Sequence, residues 1–173
     1  MSPIIIALLA GLASVFNFHI GNGGLRVSLG IIVLIIALYK YEKLNVLKTS
    51  LLSGIAVFVV RIILDYAGTG SVDETVLYHA LEIIFYLVYG FLFDLMVRKD
   101  TSVYKSPLIL VLMLCDFGAN AAEYLARFLF LQSAIVPVDF QTVFLAAFIR
   151  SAVIWVIIHF VFKLDESKHA FTK

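Results

Sequence analysis

Charge is what this chain has least of. Asp, Glu, Lys and Arg together make up 14% of 173 residues, with a net charge of +1, where a soluble domain carries about 25%. Too few charges are present to cover a water-facing surface, and no basic run offers a seat for nucleic acid. Cysteine is nearly absent. Cys115 stands alone in an apolar stretch, which excludes a disulfide framework and a cysteine-based metal site. Catalytic signatures are missing as well: there is no Ser/His/Asp set, no HExxH and no CxxC, and nothing marks one carboxylate as a general acid against another as base. The chain reads as a non-enzyme. The stretch Gly21-Asn22-Gly23-Gly24-Leu25-Arg26 is Gly-rich but lacks a following Gly-Lys-Ser/Thr, so nucleotide binding is rejected there. No Lys or Arg precedes the first apolar run, so the N-terminus reads as a first membrane span rather than a signal peptide.

What remains is apolar. The chain is 62% hydrophobic, with fifteen Phe and eight Tyr and a mean hydropathy of +1.04. Lipid disperses such a chain and water does not. One domain is expected, a transmembrane bundle over residues 1–163 with a cytoplasmic tail at 164–173. Six apolar segments can be drawn: Pro3–Ile20, Leu25–Tyr39, Asn45–Tyr66, Val76–Val97, Ser106–Leu131 and Phe140–Phe162. A spanning helix needs about 20 residues. The second segment is short for that, so the expectation is an all-α bundle of six transmembrane helices, or five if that segment does not cross.

Lysine and arginine set the orientation. Lys40, Lys43 and Lys48 flank the second connection, Arg98, Lys99 and Lys105 the fourth, and Lys163, Lys168 and Lys173 follow the last span. The first, third and fifth connections hold only Arg26, with Asp73, Glu74 and Asp139. Basic residues stay on the cytoplasmic side, which places both termini there and the chain in the plasma membrane.

Ionisable groups inside the spans carry the functional signal, because each costs about 2.5–3.5 kcal/mol near a helix centre. The third span has Arg61 and Asp65, the fourth His79 and Glu82 followed by Tyr86 and Tyr89. In the fifth, Asp116, Asn120, Glu123 and Arg127 recur every three or four residues as one stripe. The sixth carries Arg150, the first ends with Asn17 and His19, and the second begins at Arg26. On this orientation they gather in the outer half, with Asp116, Asn120 and Arg150 near the middle. Asp94 is the exception at the inner end, where Arg98 is one turn away. A cluster that stops near the midplane suits a pocket open to the outside better than a channel. A closed ion-pair network is the alternative, with Arg61–Asp65 and Glu123–Arg127 as pairs within single helices. The expected ligand-binding residues are Arg61, His79, Glu82, Asp116, Asn120, Glu123, Arg127 and Arg150, under a cap formed by the Gly-rich loop. Small residues at helical spacing, Ala7 and Gly11 and also Ala10 and Ser14, allow close helix packing within the bundle or against a partner helix.

Ala7-xxx-Gly11, the Gly-rich loop and Leu25-Arg26-Val27-Ser28-Leu29-Gly30 resemble the start of two related membrane families. One is the S component of energy-coupling-factor vitamin transporters. The other is the multi-span input domain of bacterial sensor histidine kinases, including the LytS-type receptors. Three further stretches resemble the kinase input domains more closely: Tyr78-His79-Ala80-Leu81-Glu82 running on to Gly90, Asp116-Phe117-Gly118-Ala119-Asn120 running on to Arg127, and Phe148-Ile149-Arg150-Ser151. The sensor resemblance implies recognition of a small external signal, with the last span passing movement to a cytoplasmic kinase domain in a two-component system. The transporter resemblance implies binding of a vitamin or metal ion and delivery with an ATPase module, whose partner helix would dock on Ala7, Ala10, Gly11 and Ser14. The sequence stops at Lys173 without a kinase domain, which favours the S component by length; the motifs favour the sensor. The expected partners are the lipid bilayer, a small ligand from the outer side, a kinase domain or ATPase module, and a second copy of the chain. No cofactor, bound metal or nucleic acid is expected.

Overall fold

The computed structural model describes residues 1–20, 25–71, 75–99, 107–131 and 140–161, with backbone alone at 19–20, 25–26 and 75. Six helices and one β-hairpin make up this part of the chain. Helix α1 runs Pro3–Ala13, strands β1 and β2 run Asn17–Ile20 and Leu25–Ser28, and α2 runs Leu29–Lys40. Helices α3 (Val46–Thr69), α4 (Thr75–Phe93), α5 (Leu108–Phe130) and α6 (Phe140–Val156) follow. Helix α4 runs on into a π-helical turn at Asp94–Arg98, and α6 into one at Ile157–Val161.

The helix starts are written in the sequence. Ser2 precedes Pro3 and its hydroxyl accepts from the Ile4 amide at 3.3 Å, with proline at the position where a helix loses no amide bond. Ser28 does the same for α2 through Gly30 N at 3.2 Å, and Asn45 for α3 through Lys48 N at 2.9 Å. Helix α3 stops at Gly70, which takes φ 72°, the left-handed geometry that glycine adopts without strain.

Among the described residues, four helices are long and apolar enough to cross a membrane: Val46–Thr69, Val76–Arg98, Leu108–Phe130 and Phe140–Val161. This is the architecture of a helical membrane protein. The first two apolar segments differ from expectation. Helix α1 has 11 residues and α2 has 12, which at about 1.5 Å per residue reach only ~16–18 Å. The chain beyond Ala13 leaves the helix for a strand, which suits its β-branched and aromatic run Val15-Phe16-Asn17-Phe18-His19-Ile20. Strands β1 and β2 pair antiparallel, Asn17 opposite Ser28 and Ile20 opposite Leu25. Leu29 N bonds Phe16 O at 3.1 Å and closes the base of the hairpin. Each four-residue strand adds about 13 Å, so helix and strand together reach about 30 Å. Strand backbone survives in lipid only when protein covers it, and β2 packs on α6. The Gly-rich cap at 21–24, the acidic residues Asp73, Glu74 and Asp139, and the tail 164–173 lie outside the described residues.

Helix α1 packs on α2 and α3, α3 on α4, α4 on α5, and α5 on α6. The short α2 is the most enclosed helix: Ile31, Ile32, Leu34, Ile35 and Leu38 are all buried. Close approaches depend on small residues. A Cβ at Gly30 would come within 2.7 Å of both the Ala10 carbonyl and the Tyr86 hydroxyl, and one at Gly90 would overlap the Ser50 side chain. Ala7, Ala10, Gly11 and Ser14 are buried, and a Cβ on Gly11 would sit 3.2 Å from Ala56 of α3. That face of α1 is packed inside the chain.

The end opposite the hairpin is tied by Arg98. Its guanidinium donates to the carbonyls of Leu44 at 2.7 Å and Tyr41 at 2.8 Å, and also to Leu38. Three carbonyls at the end of α2 and in the α2–α3 loop are thereby satisfied by one charged fork. The expected Asp94–Arg98 pairing is replaced: Asp94 bonds Lys99 at 2.9 Å, because the π turn shifts the register by one residue and leaves Arg98 to face α2.

Candidate functional site

The polar residues predicted from the sequence converge from four helices. The α-helical repeat puts Arg61 and Asp65 on one face of α3, and His79, Glu82, Tyr86 and Tyr89 on one face of α4. Asp116, Asn120, Glu123 and Arg127 share a face of α5, and Arg150 enters from α6. All lie toward the hairpin end or near mid-bundle.

The deepest group is Asp116 with Arg150. Their Oδ1 and Nη2 atoms are 2.6 Å apart, with side-chain exposure of 0% and 4%. Asn120 donates to the same carboxylate oxygen at 2.6 Å and to the Asp116 backbone carbonyl at 2.8 Å. The Arg150 guanidinium lies 5.2 Å over the Phe85 ring, and Tyr89 donates to the Leu112 carbonyl at 3.3 Å beside it. Taking two charges out of water costs several kcal/mol each, so a pair this deep holds only with such added donors and ring faces.

Nearer the hairpin end the pairs are looser. Arg61 Nε is 3.8 Å from Glu82 Oε2. His79 lies between two carboxylates, with Nε2 2.7 Å from Asp65 Oδ2 and Nδ1 3.6 Å from Glu82 Oε1. Arg127 Nε bonds Glu123 Oε1 at 3.0 Å within α5, as the spacing predicted, and its guanidinium lies 5.7 Å from the Tyr78 ring centre. In α3, Arg61 and Asp65 both reach across to α4, so the interhelical contacts are the ones that shape the site.

The eight residues expected at a binding site fall into three contact groups: Arg61 with His79 and Glu82, Asp116 with Asn120 and Arg150, and Glu123 with Arg127. Of the other polar residues read there, Asn17 is occupied locally, its amide donating to the Val15 carbonyl at 3.1 Å. The side chains of His19 and Arg26 lie outside the described residues, though their backbones are paired across the hairpin. Among the described residues, no group of three His, Cys, Asp or Glu side chains is placed to hold a metal ion.

Tyr86 follows Glu82 in the sequence reading but is not among the expected ligand-binding residues. It is 3% exposed and reaches from α4 to the β2–α2 junction, beside Gly30 and Ser28. Its hydroxyl faces the Ser28 side chain at the β2–α2 junction. Its position four residues after Glu82 was the available signal, masked by the abundance of aromatic residues around it. Arg61 Nε and Asp116 Oδ2 are buried and have no hydrogen-bond partner among the described residues. Donors and acceptors are thus held in fixed positions within an apolar bundle. No protein-family model, curated protein or solved structure matches the chain.

Proposed function

We propose that this chain is a membrane-embedded receptor for a small molecule arriving from outside the cell, acting as the input domain of a two-component sensor histidine kinase. The orientation follows the lysine and arginine distribution, with the hairpin end outward, both termini cytoplasmic and the bundle in the plasma membrane. The observation that carries the reading is the convergence of charged side chains from α3, α4, α5 and α6 toward one end of the bundle, with buried polar atoms that have no hydrogen-bond partner among the described residues. A network built only for stability leaves few buried donors and acceptors unsatisfied.

The S-component reading stands second. It calls for the face of Ala7, Ala10, Gly11 and Ser14 to receive a partner helix, and that face is buried against the chain's own α3 and the start of α2. In the sensor reading the mobile element is α6, which carries Arg150 from the cluster to its π-helical turn at Ile157–Val161. A π turn is a strained segment often found at functional positions.

Purification from the native membrane into lipid nanodiscs tests the proposal. Native mass spectrometry should find a retained small molecule that Asn120→Leu expels while the bundle stays folded. Co-purification of paired ATPases with a coupling membrane protein would sink the sensor role. Retention of nothing, with Asn120→Leu merely more stable, would reduce the cluster to a structural network.

A further inference from the structure

An imidazole stands between two carboxylates where α3 meets α4 at the hairpin end. His79 is in the second turn of α4, and Asp65 is one turn before the end of α3. His79 Nε2 is 2.7 Å from Asp65 Oδ2, and Nδ1, on the other side of the ring, is 3.6 Å from Glu82 Oε1. The first is a hydrogen bond between two helices; the second is an approach that stops short of a bond. A neutral imidazole donates from one nitrogen and carries a lone pair on the other, whereas an imidazolium donates from both. With its hydrogen on Nε2 the neutral ring keeps the bond to Asp65 but turns a lone pair toward Glu82. A second proton makes the Asp65 bond an ion pair and changes repulsion at Nδ1 into attraction.

The charges around the ring point the same way. Asp116 is paired with Arg150 and Glu123 with Arg127, one cation to one anion in each case. Around His79 the described side chains supply one guanidinium, Arg61 of α3, against two carboxylates, Asp65 of α3 and Glu82 of α4. A proton on the imidazole evens that count, and a buried imbalance of charge is costly. From α5, which packs on α4, the groups at this end are Glu123 and Arg127, with the Arg127 guanidinium over the ring of Tyr78, the residue before His79. The ring also has a route to water. The His79 side chain is 6% exposed and that of Asp65 39%, so a proton arriving at the hairpin end meets an accessible carboxylate before the buried nitrogen.

We propose that His79 is a proton-binding site that fastens α3 to α4, so that these two helices respond to the pH on the hairpin side of the membrane. Acid tightens the joint. Its full strength is present at low pH and is lost as the pH rises through the range in which the imidazole gives up its second proton. The joint goes beyond the receptor reading, since it works whether or not the cluster takes a small molecule.

The test uses the full chain in nanodiscs across about pH 5 to 8. Nitrogen NMR of ring-labelled histidine reports whether each nitrogen carries a proton, and the variant His19→Gln/His159→Gln/His169→Gln leaves His79 as the only imidazole. Both nitrogens should carry a proton at the acid end of the range and one of them at the alkaline end. Backbone hydrogen exchange, corrected for its intrinsic pH dependence, reads the joint itself. Protection at 62–69 and 76–81 should fall about tenfold as the proton leaves, the difference between a hydrogen bond to a neutral and to a charged group. Protection at 46–53, the far end of α3, should hold steady. His79→Gln, whose amide keeps a donor in the place of Nε2, should abolish the step. A ring whose proton count stays constant across the range overturns the proposal, and so does an unchanged step in His79→Gln. If that variant fails to fold, Asp65→Asn takes its place: it removes the accepting charge, and a step of undiminished size there overturns the proposal equally.

Discussion

Removing the Arg150 side chain charge is the sharpest test of the packing logic. In Arg150→Met the Asp116 carboxylate loses a partner at 2.6 Å and keeps only Asn120 as a side-chain donor to Oδ1. Asp116 has 0% side-chain exposure, so water cannot replace the guanidinium without opening the bundle. Breaking a buried pair in this way costs about 3–5 kcal/mol. The double variant Asp116→Leu/Arg150→Met removes both charges and fills the space with apolar atoms; such replacements are often neutral or stabilising, by about 1–4 kcal/mol. Equilibrium unfolding in mixed micelles, completed as a double-mutant cycle, measures all three. The expected order is both single variants well below the unmutated chain and the double variant at or above it. A cost under about 1 kcal/mol for Arg150→Met, or a double variant as unstable as the sum of the singles, would falsify the view that Asp116 depends on Arg150.

Other expectations follow from the same geometry. Gly90→Ala pushes a methyl into Ser50 and should cost about 1–3 kcal/mol, with Ser50→Gly in the same chain recovering most of it in the unfolding assay. Arg98→Ala strips the donor from three carbonyls at 38, 41 and 44; at about 1.5–3 kcal/mol per charged hydrogen bond, not additive, the α2–α3 loop should become cleavable by protease well before the bundle unfolds. Cysteines at Gly70 and Lys43, in a Cys115→Ala background, should react with an impermeant maleimide from opposite sides of intact cells, Gly70→Cys from outside and Lys43→Cys only after permeabilisation.

The membrane character and the four long helices could be read from residues alone. Length and apolarity suffice for α3 to α6, and Ser2, Ser28 and Asn45 announce helix starts through local chemistry that needs no tertiary partner. The stripe on α5 was equally legible, since helical spacing alone aligns Asp116, Asn120, Glu123 and Arg127. The hairpin was not. Strands β1 and β2 alternate apolar with polar residues, Asn17-Phe18-His19-Ile20 and Leu25-Arg26-Val27-Ser28, but four residues each are too few for that alternation to distinguish a strand turning back from the frayed end of a helix.

The partners of the charged residues also needed the fold. Spacing suggested Arg61 with Asp65 and Asp94 with Arg98, whereas the structure brings Asp65 to His79, Arg61 to Glu82 and Arg98 to the carbonyls of another helix. Intrahelical neighbours are visible in sequence, but the side chain opposite on the next helix depends on crossing angle and rotation. The apolar surface poses the same problem. Ile35 of α2 is fully buried and Leu12 of α1 is 64% exposed, yet both are aliphatic, because lipid and protein interior ask for the same side chains. Sequence alone thus determined that charged groups lie buried in a membrane bundle, through the cost of placing them in lipid. Only the tertiary structure decided which of them meet, and left Glu82 between His79 and Arg61, because that depends on how four helices turn toward one another.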